Sequence, residues 1–269
     1  MKYAVVTTFN APGLKQYGQQ MIDTFEKFWP SNVDLIVCAE NCDPTVTRAN
    51  TQILDLLSLD HQLQAFVDRH RRNPQAHGQA GPPGIFDPAK SFKWDAVRFC
   101  YKIYSIKLAS SYINHGWLIW LDADTVTHSP VQQADLEKLC PADSMISYLG
   151  RGENYHSECG WVGYNLDHPE TQNFINSLVA MYDQDRIFDL AEWHDSYVWD
   201  VVRKKYQNNN KFYNLTHTLP NPGRAGHPFI NSDLGKFMDH MKGNRKQQGR
   251  SKQQDLVVSR PEAYWNPVR

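Results

Sequence analysis

The chain lacks several things that would have assigned it early. No stretch of its 269 residues approaches the ~20 consecutive apolar residues of a membrane span. The opening run, MKYAVVTTFN, is too short for a secretion signal and reads as a first strand. Charge of one sign is missing as well. The 28 Lys and Arg face 29 Asp and Glu, so nothing favours nucleic acid or an acidic membrane as partner. Cysteine is scarce and odd in number, at five. Cys38 and Cys42 are too far apart for a CxxC motif, and no histidines cluster around them. Buried free thiols in a reducing, cytoplasmic setting are expected, which makes the sequon at Asn214 a coincidence. There is no internal repeat. What is present is 41% hydrophobic and 12% aromatic residues, enough to pack one large α/β domain.

The order of patterns supports that class. Residues 3–8 are β-rich. Residues 14–29 carry Leu14, Tyr17, Met21, Phe25 and Phe28 at helical spacing, stopped by Pro30, and 34–39 (DLIVCA) is a buried strand. Such a β-α-β opening predicts a mostly parallel sheet flanked by helices. A helix is expected over 54–69. The stretch 73–88, NPQAHGQAGPPGIFDP, breaks every periodicity and reads as a long loop, a lid by position. A helix over 91–112 should bury Phe92, Ala96, Phe99, Ile103, Ile106 and Ser110. Strands are expected at 117–121, 145–149 and 159–165, and helices at 169–182 and 192–206. Past residue 208 the chain turns polar and rich in Gly, Pro and Asn, with a short helical piece near 234–242.

The central strand, WLIWL, runs straight into Asp122-Ala-Asp124. On an extended chain, positions i and i+2 share a face. Two carboxylates there repel unless a cation lies between them. The plain alternative is a turn, in which an Asp simply caps the next element. Paired carboxylates suit Mg²⁺ or Mn²⁺, which in turn bridge phosphate oxygens. A third ligand is on offer in HMKGNRK, where His240, Gly243 and Lys246 form H-x-x-G-x-x-K. An imidazole tilts the preference toward Mn²⁺. Lys242 and Lys246 supply charge for a diphosphate, and Gly243 allows close backbone approach.

Taken in order, VVTTFN (5–10), LDAD (121–124) and HMKGNRK (240–246) resemble GT-A-type, nucleotide-sugar-dependent glycosyltransferases. The layout is nearest to glycogenin and the bacterial lipopolysaccharide glucosyl- and galactosyltransferases. The resemblance implies a single GT-A domain over 1–269, with a nucleotide-sugar half (1–125) and an acceptor half (126–269). It implies that Thr7, Thr8 and Asn10 meet the nucleoside, with Tyr17 nearby. It gives Asp122, Asp124 and His240 to a Mn²⁺ (or Mg²⁺) ion, and Lys242, Gly243 and Lys246 to the diphosphate. The donor it implies is UDP-glucose or UDP-galactose, transferred with retention to an unspecified acceptor. Where that family often continues Pro-Trp, this chain has Gln247-Gln248.

By the same resemblance a basic residue on the helix before the acid pair approaches the donor, here Arg98 or Lys93; otherwise these lie on a solvated face. Glu158, leading the strand ECGWVGYN, lines the acceptor side, and Trp161 is either a sugar platform or core. Asp195, His194 and Glu192 open a helix; they cap it, or by the resemblance Asp195, then His194 and Glu192, takes part in catalysis, with Glu158 a further candidate. Two other readings stand beside this one. WLIWLDADTVT also fits a haloacid dehalogenase-type phosphatase with Asp122 as nucleophile. A catalytically silent carbohydrate-binding relative of the GT-A class is the third.

Overall fold

The protein is described by a computed structural model that covers residues 1–219, 221–222 and 226–267. Nine strands lie among these residues: β1 (Tyr3–Asn10), β2 (Asp34–Glu40), β3 (Thr51–Asp55), β4 (Trp117–Leu121), β5 (Thr125–Thr127), β6 (Ile146–Leu149), β7 (Glu158–Asn165), β8 (Phe212–Asn214) and β9 (Met238–His240). Seven form one sheet in the order β3-β2-β1-β4-β7-β6-β8. Pairing is parallel from β3 through β4 and between β6 and β8, and antiparallel on both sides of β7. The expected α/β class with a mostly parallel, helix-flanked sheet is what the chain forms.

Strand alternation feeds two cores. Ala4, Val6, Ile36, Cys38, Leu118 and Trp120 pack toward the helices Ala96–Tyr112, Thr171–Asp183 and Asp195–Tyr206. Tyr3, Val5, Leu35, Val37, Trp117 and Ile119 pack toward the helix Gln19–Phe28. With both faces covered, β4 is buried at every position, which is why it reads as an unbroken apolar run. No helix is long and apolar enough to cross a membrane among the described residues. All five cysteines are free thiols, four of them buried.

Two expectations need correcting, and a third gains detail. The span 54–69 is not one helix. Strand β3 ends at Asp55, which caps Leu56–Leu59 through Ser58 N–H (3.3 Å), and Asp60 then caps His61–His70 through the N–H groups of Gln62 and Leu63 (3.0 and 3.1 Å). The stretch 73–88 is irregular as expected, apart from one short turn. It buries Ala76 in a 3₁₀ turn and sets Phe86 against Trp94, ring centroids 5.1 Å apart. The long helix starts at Ala96, capped by Asp95; residues before it form a 3₁₀ turn that leaves Phe92 49% exposed.

Candidate active site

The acids sit where the sheet stops. Strand β4 ends at Leu121, and Asp122–Thr125 closes a turn through Thr125 N–H to the Asp122 carbonyl (3.0 Å). The extended i, i+2 geometry is therefore absent, yet both carboxylates still converge, because β5 leaves the turn and pairs with β9. That ribbon sets Thr125 opposite His240, so the third residue arrives on a strand rather than in the expected helical piece. His240 Nε2 lies 3.2 Å from Asp124 Oδ1 and 3.4 Å from Asp122 Oδ2.

The imidazole is held from behind. Its Nδ1 stands 3.0 Å from Glu158 Oε1, and Lys242 Nζ donates to the other oxygen of Glu158 at 3.1 Å. Burial opposes charge on Glu158, but Lys242 and the His240 contact outweigh it and hold the carboxyl well below its ordinary range. A carboxylate only accepts, so Nδ1 carries a proton toward Glu158, while Nε2 faces the acid pair; burial opposes charge on the ring, but Asp124, Asp122 and Glu158 hold it well above its ordinary range. Gly160 makes room for the ring: a Cβ there would lie 2.6 Å from His240 Nδ1. Glycine in this strand thus serves an approaching side chain.

Lys102 meets the pair from the other side. Its Nζ contacts Asp122 Oδ1 (3.1 Å), Asp195 Oδ2 (2.7 Å) and the Cys159 carbonyl (2.5 Å), and Trp120 Nε1 donates to Asp122 Oδ1 at 2.6 Å. Burial works against charge on both residues of this pair. The two acids nevertheless raise the ammonium above its usual range, and Lys102 with His240 lowers Asp122. Lys246 closes the ring, 2.9 Å from Asp124 Oδ2 and over the Tyr17 ring at 4.8 Å.

These groups line a cavity of about 200 Å³ together with Thr8, Asn10, Glu40 and Arg98. Glu40 ends β2 beside it. Burial, resisted by the Thr8 hydroxyl, pushes its carboxyl up to about 7. Thr8 Oγ1 lies 2.6 Å from the Cys38 carbonyl and 2.8 Å from Glu40 Oε1. The Thr8 hydroxyl is thus shared between these two acceptors.

Two carboxylates and an imidazole with a fixed Nε2, their ligand atoms all within 4.8 Å of one another, form a donor set that fits Mn²⁺ or Mg²⁺. Of the residues expected from sequence, Thr8, Asn10, Tyr17, Arg98, Asp122, Asp124, Asp195 and Lys246 line the cavity, and His240 stands against its acid pair. Others stand elsewhere. Thr7 is fully buried in β1, its side chain facing away from its neighbour Thr8. Lys93 is tied to Glu192 (2.7 Å), and His194 Nε2 to the same carboxylate (2.8 Å), outside the cavity lining. Glu158 is no acceptor-facing group: 5% exposed, it supports His240. Lys242 is spent on Glu158, and Gly243, at φ 64°, makes the turn between His240 and Lys246. Trp161 is core.

Sequence reasoning passes over Glu40 and puts Lys102, with Lys93 and Arg98, on a solvated helix face, whereas the fold buries it. The signal for Lys102 is a lone lysine inside the apolar run CYKIYSI, placed on a helix that is buried around most of its circumference.

No family model and no curated protein matches this chain. Among solved structures it is similar to mouse xyloside xylosyltransferase 1 in its apo form, with 9% identity over 80% of this chain and 85% of that one, TM-score 0.47. It is also similar to a glycosyltransferase involved in the glycosylation of the major capsid of PBCV-1 (9% identity, 93% and 98%, TM-score 0.46). The apo form of GlyE from Streptococcus pneumoniae TIGR4 is a third (9%, 79% and 45%, TM-score 0.43), and here the match spans about half of the other chain. The likeness concerns the course of the backbone; the chemistry open to the site is set by its side chains.

Proposed function

We propose that this chain is a metal-dependent glycosyltransferase of the GT-A type, taking glucose or galactose from a UDP-sugar with Mn²⁺ (or Mg²⁺) as cofactor. The observation that carries the reading is the convergence of Asp122, Asp124 and His240 Nε2 beside a cavity that also presents Lys102 and Lys246. Acids alone would repel a diphosphate, and lysines alone would need no acids; the combination suits a diphosphate that arrives with its cation.

A bound ion supplies Lewis-acid neutralisation of the departing diphosphate. The protein's own groups do the rest. Glu158 fixes the tautomer and angle of His240. Lys246, on the rim, leaves Asp124 and meets incoming phosphate oxygens. Lys102 stays buried and pins Asp195, whose carboxylate accepts hydrogen bonds from the hydroxyls of the sugar being transferred. Arg98 and Asn10 lie along the nucleoside side of the cavity. Retention of configuration belongs to this reading through the likeness in motif layout. The phosphatase alternative asks Asp122 to attack phosphorus, but its Oδ1 is already engaged by Trp120 and Lys102.

The test is calorimetric titration of UDP and several UDP-sugars with and without Mn²⁺, on the wild type and on Asp124→Ala. Mn²⁺-dependent UDP binding that weakens by at least about a hundredfold in the variant is the expected result, since one of the three ligand residues and its negative charge are removed. A wild type indifferent to every nucleotide sinks the reading. Nucleotide binding without measurable turnover of any UDP-sugar selects the silent carbohydrate-binding alternative.

A further inference from the structure

We infer that a second cavity, adjoining the first, is the acceptor subsite and that its ligand is a saccharide; this rests on the transferase reading above. The cavity measures about 610 Å³ and opens between the 150–157 segment, which joins β6 to β7, and the helix Asp195–Tyr206. None of its lining residues is aliphatic. It therefore offers nothing to a lipid chain and no apolar pocket for the anchors of a protein partner.

What it offers instead is fixed donors beside aromatic rings. Arg203 is set in place before any ligand arrives. Its Nε donates to Asp200 Oδ1 at 2.7 Å, and its guanidinium lies 5.3 Å from the Tyr148 ring centroid and 5.9 Å from that of Trp199. Asp200 is spent in return, accepting also from the backbone N–H and the hydroxyl of Ser157, each at 2.8 Å. The Asn214 Oδ1 is committed to Gly150 N–H (2.9 Å) and Thr216 N–H (3.0 Å), which leaves its amide as a donor at the cavity wall. Tyr155, 48% exposed, carries the Arg151 guanidinium at 5.3 Å. A ligand with many hydroxyl acceptors and an apolar ring face matches this inventory.

The two cavities are neighbours. His156 lines the larger one and packs edge-on to Tyr197, centroids 4.9 Å apart, and 5.4 Å from His194. The next residue, Asp195, lines the smaller cavity. Along the shared helix the five steps from Asp195 to Asp200 advance about 7.5 Å. A sugar seated against Arg203 and Tyr155 thus extends past the His156–His194 wall toward the donor.

The experiment titrates glucose, galactose, lactose and maltose into the whole chain, without nucleotide, by saturation-transfer NMR, on the wild type, Tyr155→Ala and Arg203→Gln. At least one of these saccharides should bind the wild type and bind at least tenfold more weakly to both variants, with UDP and Mn²⁺ affinity unchanged. In turnover the same variants should raise KM for that saccharide and leave kcat nearly as it was. Absence of saccharide binding, or binding indifferent to both changes, overturns the proposal. Tyr155 lies on the surface, so its variant decides the matter even if Arg203→Gln fails to fold. A chain that binds UDP but no saccharide loses only this subsite. A chain that binds a saccharide at Tyr155 but no nucleotide keeps the subsite and loses the transferase reading.

Discussion

Two lysines reach the paired aspartates from opposite regions of the molecule, and they are held in opposite ways. Lys102 lies within a 17-residue helix packed under the sheet, is 7% exposed, and binds two carboxylates and a carbonyl together. Lys246 comes from a four-residue helix in the irregular C-terminal region and touches one carboxylate oxygen, with its ammonium over the Tyr17 ring. Both neutralise the acid pair, but only one can let go. A buried cation with three partners belongs to the fold, because removing it strands charges that cannot be hydrated. A rim cation with one partner is exchangeable, and its partner can trade it for a metal ion.

The contrast is sharpest in stability. Lys102→Met should cost about 3 kcal/mol, since it leaves Asp122 and Asp195 without their counter-charge, whereas Lys246→Met should stay within ~1 kcal/mol while weakening UDP binding. Urea denaturation of both variants checks this; equal losses would erase the distinction between them. A smaller effect is expected at the support of His240. Glu158→Gln keeps the shape but removes the charge that fixes Nδ1–H, and Mn²⁺ affinity should fall about 10- to 100-fold by direct metal titration. An unchanged affinity would mean that the ribbon alone aims the imidazole.

The smallest effect concerns the nucleoside end, where a carboxyl has no lysine at all. Burial lifts Glu40 from 4.5 to about 7, so the folded protein keeps a proton that the unfolded chain has lost. The stability this contributes is complete below about pH 4.5 and is lost as pH rises through 7. On the order of 1–2 kcal/mol should disappear across that window after discounting for partial exposure, and Glu40→Gln should flatten the profile. Thermal melting from pH 4.5 to 8 reads it directly, and parallel profiles for the two proteins would place the Glu40 carboxylate in water.

How much is legible in the sequence depends on how local the information is. The apolar runs of β1, β2 and β4, and the acid pair ending β4, are written in consecutive residues and can be read directly. His240 and Lys246 are legible by their spacing, though not by their conformation, because a three-residue strand exists only through its partner β5. Lys102 is hidden for the opposite reason. Its helix invites reading as an amphipathic stripe, but Val97, Cys100, Ile103, Tyr104 and Ile106 bury more than one side of it, and a lysine on such a helix cannot be solvated. Glu158 looks like a substrate-facing acid because a sequence does not state what lies across a strand. The Gly160 beside it is the trace of the approaching ring.

The pairing of Thr125 with His240 also has a consequence for how the site comes into being during synthesis. A ribosome delivers Lys102 before it delivers the acid pair, and His240 and Lys246 only long afterwards. The charge balance of the acid pair is thus drawn from segments far apart in the chain, and it is complete only once β9 has paired with β5.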